Sequence, residues 1–368
     1  MKLRSIWIET TTRCNLKCKS CGSLKGKKDI DLNLFYKIAE QCFPDIEEIN
    51  ITGVGEPTMT RNFNSIASTI VEKYHKRLII ITHGMLLNLN AELLNLLVRN
   101  NVHLTISVDG IGEVYEELRR GAKWAVLLAV FDEINQLKQL KKLDKFTLGI
   151  NFTLNSYNMR QLPDLIKIAG KRWQVDYLLV IPMQPWNLNA DFYETFAPKY
   201  FVNEVNKIIE ISKAVATEIG VNVIFPGAFD SEQKTIIEKR LVKTIGWFRK
   251  IKHKLSVFRF RDNFYALPAI IYIRYQWLYK LFYSLLGLKK KYCKVPSERL
   301  FFKINGEVTP CCGMQNYVLG SMQKQNLGEI LADKHYLKLA DGFFKGYLPI
   351  ECLRCHLPMG PNHGNPDA

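Results

Sequence analysis

Cys14-Asn15-Leu16-Lys17-Cys18-Lys19-Ser20-Cys21 places three thiols within eight residues, directly behind the strand-like run Ser5–Glu9. Three thiolates on one short loop can hold three corners of a cubane iron–sulfur cluster. The fourth iron is then left without a protein ligand, which is the arrangement needed to bind and activate a small molecule there. Zinc is the plainer alternative, but a closed zinc site asks for four ligands in paired spacings. No fourth Cys or His lies nearby: the next cysteine, Cys42, falls on an amphipathic helix, where we expect a buried small hydrophobe.

Outward from this loop, apolar runs alternate with amphipathic stretches. The strand-like runs are 5–9, 48–51, 78–82, 103–108, 147–154, 177–181 and 221–225. Helix-like stretches lie between them at 31–42, 62–74, 91–98, 123–141, 158–169 and 200–219. Strand–helix alternation indicates βαβ units and a parallel sheet. The number of units favours an α/β fold, a partial (β/α)6 TIM-like barrel, whose chemistry would sit at the carboxyl ends of its strands.

Further motifs fall at those strand ends. Thr52-Gly53-Val54-Gly55-Glu56-Pro57 follows the second strand, Thr82-His83-Gly84 the third, and Ile106-Ser107-Val108-Asp109-Gly110 the fourth, with Arg119 and Arg120 beyond. The order of these motifs and the C-x3-C-x2-C spacing resemble the radical S-adenosylmethionine (radical SAM) superfamily over residues 4–185 and 293–355. The resemblance implies that Cys14, Cys18 and Cys21 ligate a [4Fe-4S] cluster whose open iron takes the methionine amine and carboxylate of S-adenosylmethionine. One electron from such a cluster cleaves the sulfonium to a 5′-deoxyadenosyl radical, which abstracts hydrogen from substrate. It further implies that Gly53, Gly55 and Glu56 meet the methionine amine, although Val54 interrupts the family's Gly-Gly-Glu-Pro. Ser107 and Asp109 would belong to the SAM site, Arg119 or Arg120 to the SAM carboxylate, and Asn151 with Leu154 to the adenine pocket. His83 replaces the family's usual Asn and is read as either a loop-end residue or a substrate contact.

A second constellation comprises Cys293, Gly306, Cys311, Cys312 and Cys352-Leu353-Arg354-Cys355. A CxxC pair with two distant thiols could hold zinc or a four-thiolate cluster. Gly306 lies five positions before Cys311, with 301–304 and 307–309 as hairpin arms, and the runs 319–321 and 327–331 follow as strand-turn and helix. This resembles the SPASM/twitch auxiliary domain and implies that Cys293, Cys311, Cys352 and Cys355 ligate one auxiliary [4Fe-4S] cluster, the second in the chain, used for electron transfer. Cys312 would be a neighbour. The resemblance implies modification of a peptide or of a carbohydrate-like or lipid-linked small molecule, with an external electron donor such as flavodoxin or ferredoxin. The net reaction stays open between oxidation, epimerisation and bond formation. No segment resembling a peptide-recognition module precedes Cys14, which favours the small molecule.

The 368 residues, 47% hydrophobic and 23% charged, exclude wholesale disorder. Fifty-one Lys and Arg against 35 Asp and Glu give +16, which asks for an anionic partner or surface. Residues 231–294 hold sixteen Lys or Arg and three acids. Within them 269–288 is crowded with aromatic and aliphatic residues around Arg274, Gln276, Lys280 and Ser284, and Lys289–Lys291 follow. The run is interrupted by charge and too short for a spanning helix; it suits either a buried cap over the barrel mouth or a helix lying on an anionic membrane. Its cations could also hold a nucleotide or phosphate-bearing substrate, and nucleic acid ranks last. We therefore expect a barrel over 1–226, a basic helical insertion over 227–291 and an auxiliary domain over 292–368. With no signal-peptide pattern at the start, we expect a cytoplasmic protein, peripheral at the inner membrane face if the basic helix docks there. The alternative from another class is a non-enzymatic binding module for membrane or nucleic acid, with zinc in both cysteine sets.

Overall fold

The computed structural model describes residues 3–22, 26–140, 145–183, 190–227, 229, 293 and 295–345. The basic segment, Cys352 and Cys355 lie outside the described residues. The chain divides into one unit of Leu3–Phe229 with Phe301–Glu307, and another of Met1–Lys2, Asp230–Leu300 and Val308–Ala368. The tip of the predicted hairpin thus belongs with the first unit.

In the first unit, strands β1 (Ser5–Ile8), β2 (Glu48–Asn50), β3 (Arg77–Thr82), β4 (Val102–Ser107), β5 (Thr147–Leu154), β6 (Tyr177–Pro182) and β7 (Val223–Ile224) stand in sequence order. Every neighbouring pair from β1 to β7 is parallel. Parallel neighbours require crossovers, supplied by helices α1 (Leu32–Cys42), α2 (Phe63–Ser68), α3 (Ala91–Arg99), α4 (Glu113–Leu118), α5 (Trp124–Leu140), α6 (Leu162–Lys171), α7 (Ala190–Phe196) and α8 (Val202–Ile219). β7 does not pair with β1 among the described residues. The β1 edge instead receives the end of β8 (Arg299–Phe302), where the Glu9 N–H donates to the Phe302 carbonyl at 2.8 Å. The result is an open, partial α/β barrel. The helix-like stretch at 62–74 is split: α2 passes into a π-helical turn, Thr69–Lys73.

Burial alternates along the strands. Leu78, Ile80, Leu104, Ile106, Leu148, Ile150, Phe152, Leu178 and Val180 are fully covered on the helix side. α1 shows why its helix forms: Leu34, Phe35, Ile38, Ala39 and Cys42 recur on one face and are buried, and the Asp31 side chain caps the Leu34 N–H at 3.0 Å. Burial pushes the Cys42 thiol up to about 12, so it stays protonated as a small apolar group. The other strand face is mostly half-buried and carries His103, Ser107, Asn151, Thr153, Tyr177 and Ile181.

The amino end of that face is filled. Tyr177, the first residue of β6, reaches Gly149 of β5, where any Cβ would fall inside the Tyr177 ring. Its hydroxyl bonds Thr105 and lies 2.6 Å from His103 Nε2. Arg77 donates to His103 Nδ1 at 3.1 Å, so the imidazole proton sits on Nε2, facing Tyr177. With this end plugged, the carboxyl ends remain for a site.

The second unit, described by itself, carries Cys293, a short helix at Val295–Glu298, a short strand at Gly320–Ser321 and helices at Leu327–Ala332 and Lys334–Phe344. The Leu319 N–H donates to the Val308 carbonyl at 2.8 Å. A complete capping box, Asn326 with Glu329, starts the first of those two helices.

Candidate functional site

The thiol loop leaves the carboxyl end of β1 and is zipped at its base. Thr12 N–H donates to Lys28 O at 2.9 Å, Ile30 N–H to Thr10 O at 2.8 Å and Gly26 N–H to Thr12 O at 2.9 Å. Arg13, immediately before Cys14, makes a two-pronged ion pair with Asp29 at 3.0 and 2.8 Å and also donates to the Met59 carbonyl. Beyond Cys14 the loop lies along the end of α4: Lys17 N–H donates to Arg120 O and Lys19 N–H to Leu118 O, both at 2.8 Å. Cys14, Cys18 and Cys21 are half-exposed thiols. Among the described residues no three His, Cys, Asp or Glu side chains converge on one point as a single metal ion requires. A cubane spreads its thiolates over three separate irons, and three thiols on one anchored loop fit that group.

The glycine loop after β2 is pressed against this loop. Gly55 N–H donates to Thr11 O at 3.2 Å and Glu56 N–H to Arg13 O at 2.7 Å. A Cβ on Gly55 would lie 2.5 Å from Thr11 O and 2.6 Å from Arg13 O, so only glycine permits the approach. At Gly53 a Cβ would meet the Glu9 side chain instead.

Glu56 does not offer its carboxylate outward, as the sequence reading expects. It is buried, and Oε1 accepts from Thr58 N–H at 3.2 Å and Thr58 Oγ1 at 2.7 Å, as well as from Thr82 Oγ1. Oε2 accepts the His83 N–H at 2.9 Å. The carboxylate is therefore a brace between the glycine loop and the end of β3. Asp109 is likewise engaged, taking Thr153 N–H at 2.8 Å on Oδ1 and Arg119 at 2.8 Å on Oδ2.

The two arginines stand differently. Arg119, 13% exposed, turns inward to Asp109, whereas Arg120 is exposed. Burial opposes the Arg119 charge, but Asp109, and behind it Cys18 and Tyr115, hold its pKa above the ordinary value. Burial raises the Cys18 thiol, and Arg119 acts in the opposite sense. One buried cation thus stands beside the middle thiol of the loop.

Ser107 and Asn151 are register partners across β4 and β5 on the half-open face. Neither uses its side chain in a hydrogen bond to the described residues, so two polar groups stand ready side by side. Leu154 is a correction: three residues from Asn151 puts it on the opposite, helix-facing side, where it is fully buried, because strand side chains alternate. His83, an open question in sequence, is buried and 2.8 Å from Asn15 of the thiol loop.

In the second unit Cys293 is buried and Cys311 and Cys312 are half-exposed, with Thr309 Oγ1 donating to the Cys311 carbonyl at 3.2 Å. The other two expected ligands lie outside the described residues, so the auxiliary ligand set is only half in view.

Comparison with known proteins agrees with this arrangement. The family model described as the Radical SAM superfamily matches residues 8–169, and the SPASM model, an iron–sulfur cluster-binding domain, matches 293–356. A tungsten-containing aldehyde ferredoxin oxidoreductase cofactor-modifying protein of Pyrococcus furiosus is 29% identical over 219 residues, 56% of this chain and 60% of that protein. A GTP 3',8-cyclase of Synechocystis is 26% identical over 184 residues, 48% of this chain and 53% of that protein. The chain thus spans little more than half the length of these curated relatives. Streptococcus suis SuiB bound to the precursor peptide SuiA matches in fold with a TM-score of 0.60 at 14% identity, over 90% of this chain and 65% of that one. The structure of anSMEcpe with bound AdoMet matches at 0.55 and 15% identity, over 96% and 83%.

Proposed function

From the premise that this chain belongs to the radical SAM superfamily and carries a C-terminal SPASM domain, we propose that its barrel generates an organic radical from S-adenosylmethionine and uses it on a small polar substrate. The zinc-stabilised binding module is not supported by these matches. The single observation that carries the reading is the thiol loop, Cys14, Cys18 and Cys21, anchored beside the glycine loop at the carboxyl ends of β1 and β2.

Bound here, a [4Fe-4S] cluster would supply one electron for cleavage of the sulfonium and so release the hydrogen-abstracting 5′-deoxyadenosyl group. The chain's own part is to position and to exclude. Cys14, Cys18 and Cys21 would hold three irons, with the Gly55 contact fixing the loop's height. Arg119 sets positive charge beside Cys18, and Asp109 keeps that charge in place. Ser107 and Asn151 would hydrogen-bond the cofactor's ribose or amino-acid portion. The bonded group of Tyr177, His103 and Thr105 fills the amino end of the strand face. Cys293, Cys311, Cys352 and Cys355 would hold the auxiliary cluster, for electron exchange with the substrate, while flavodoxin or ferredoxin would feed the barrel cluster.

A small-molecule substrate is supported by the named relatives, one a cofactor-modifying protein and the other a GTP cyclase; the SuiB complex keeps a peptide as the competing class. The charge of 231–294 supports an anionic surface or a lipid-linked substrate.

The test is anaerobic reconstitution, then iron and sulfide counting and SAM cleavage under dithionite. About eight irons per chain, falling by half when all three barrel cysteines become alanine, with 5′-deoxyadenosine formed only by the wild type, is the expected result. Zinc alone, without cleavage, would sink the reading. Deuterium transfer into 5′-deoxyadenosine from labelled peptides or labelled sugars and nucleotides decides the substrate class. Flotation with anionic liposomes decides the surface.

A further inference from the structure

We propose that His83 is a positioning residue for the thiol loop: its buried ring fixes Asn15, and through Asn15 the Cys14–Cys18 segment, against the glycine loop. The inference rests on the reading that Cys14, Cys18 and Cys21 hold a cluster.

His83 sits at the carboxyl end of β3 and is 4% exposed. Its Nδ1 accepts the Met85 N–H at 3.0 Å, so in the neutral ring the proton belongs to Nε2. Nε2 lies 2.8 Å from Asn15 Oδ1, 68 positions away in sequence. The same residue's N–H is held by Glu56 Oε2 at 2.9 Å, and Nε2 stands 3.5 Å from that oxygen. One ring therefore joins three segments: the end of β3, the glycine loop through Glu56, and the thiol loop through Asn15.

Asn15 itself is exposed, so packing does not hold its side chain. Two thiols flank it, Cys14 on one side and Cys18 three positions beyond. The backbone ties of the loop lie at its base, Thr10–Arg13, and on its far limb, Lys17 and Lys19. Between Cys14 and Lys17, His83 bonds the side chain of Asn15. Its direction matters too: a rigid donor arriving from a buried ring sets the loop's lateral position, which determines the spacing between the first two thiols. A shorter side chain at position 83 could still accept the Met85 N–H but could not reach Asn15.

The test compares His83→Asn, His83→Gln, Asn15→Ala and the double variant His83→Asn/Asn15→Ala after reconstitution. The readouts are iron release to a ferrous chelator and the electron paramagnetic resonance spectrum of the dithionite-reduced protein, before and after adding S-adenosylmethionine. We expect His83→Asn and Asn15→Ala each to speed release of about four irons by roughly three- to tenfold, the factor one hydrogen bond carries, and to alter the spectrum. The double variant should release iron no faster than either single, and His83→Gln, which restores a donor at the right reach, should return toward wild type. Asn15→Ala changes an exposed residue, so it leaves the barrel folded even where His83 variants lose stability. Wild-type release rates and spectra in both single variants, or additive effects in the double, would overturn the inference and leave the cluster assignment standing. Failure of the wild type to hold iron that depends on the three barrel cysteines would overturn both.

Discussion

Replacing Gly55 with alanine tests whether the two loops are held by backbone contact. The added Cβ would sit 2.5 Å from Thr11 O and 2.6 Å from Arg13 O, against an ordinary contact of 3.4 Å or more. Both neighbours are backbone atoms, so neither swings aside as a side-chain tip would. The loops must separate by about 0.9 Å, taking the 3.2 Å and 2.7 Å hydrogen bonds of Gly55 and Glu56 with them. Two such bonds contribute ~1 kcal/mol each, and overpacking costs ~1–3 kcal/mol. A loss of roughly 3–5 kcal/mol follows, or about 6–20 °C in Tm for a unit of this size. Gly53→Ala, which meets a side chain instead, should lose only about half as much. Urea and thermal unfolding of the cluster-free protein measure the stability loss, and chelator-driven iron release after reconstitution measures the loop. A Gly55→Ala loss below about 0.5 kcal/mol, with wild-type iron retention, would refute the reasoning.

Other perturbations separate further parts of the site. Arg119→Gln leaves Asp109 buried without its cation and should cost about 3–5 kcal/mol in urea unfolding, as breaking a buried pair does. Arg120→Gln, at an exposed position, should cost less than about 0.5 kcal/mol. Burial, reinforced by the Arg77 charge, holds His103 down to about 4, from an ordinary 6.5. The unfolded chain therefore takes up a proton between those values while the folded chain does not, so this contribution is full above pH 6.5 and is lost as pH falls toward 4. Unfolding of the cluster-free protein at pH 7 and pH 5 should differ by up to ~2 kcal/mol from this residue, and His103→Gln should remove that part of the difference.

The strands were legible in two ways: Leu78 to Ile81 is a continuous apolar run, as buried parallel strands give, and Thr147 to Leu154 alternates apolar with small or polar residues. The thiol loop was equally plain, since its spacing is local. Two helices escaped. α4, Glu113–Leu118, has three acids in six residues and too few turns to show a period, and α7, Ala190–Phe196, is one residue longer. They form because they pack together: Leu118 joins Met183, Phe192, Tyr193 and Ala197 in one buried cluster. The assignment of Leu154 to a pocket beside Asn151 overlooked a signal the sequence does carry, the two-residue alternation of a strand. What could not be read were pairings set by topology. Glu56 with Thr82, Arg119 with Asp109, and His83 with Asn15 join elements whose meeting depends on the strand order, so a motif that fixes residue types leaves open which atoms each side chain satisfies.

The zipper at the base of the thiol loop bears on how such a protein matures. Thr12 and Lys28 are only sixteen positions apart, and closures that short are entropically cheap and form early. The anchors supplied by Leu118, Arg120 and His83 wait for β3, β4 and α4 to assemble. The folded chain therefore presents three half-buried thiols on a loop that is already anchored. If Cys14, Cys18 and Cys21 hold a cluster, iron and sulfide should load into a chain already folded, and oxygen should strip them out with the circular dichroism of the barrel unchanged, so that the site could be refilled in place rather than only at synthesis.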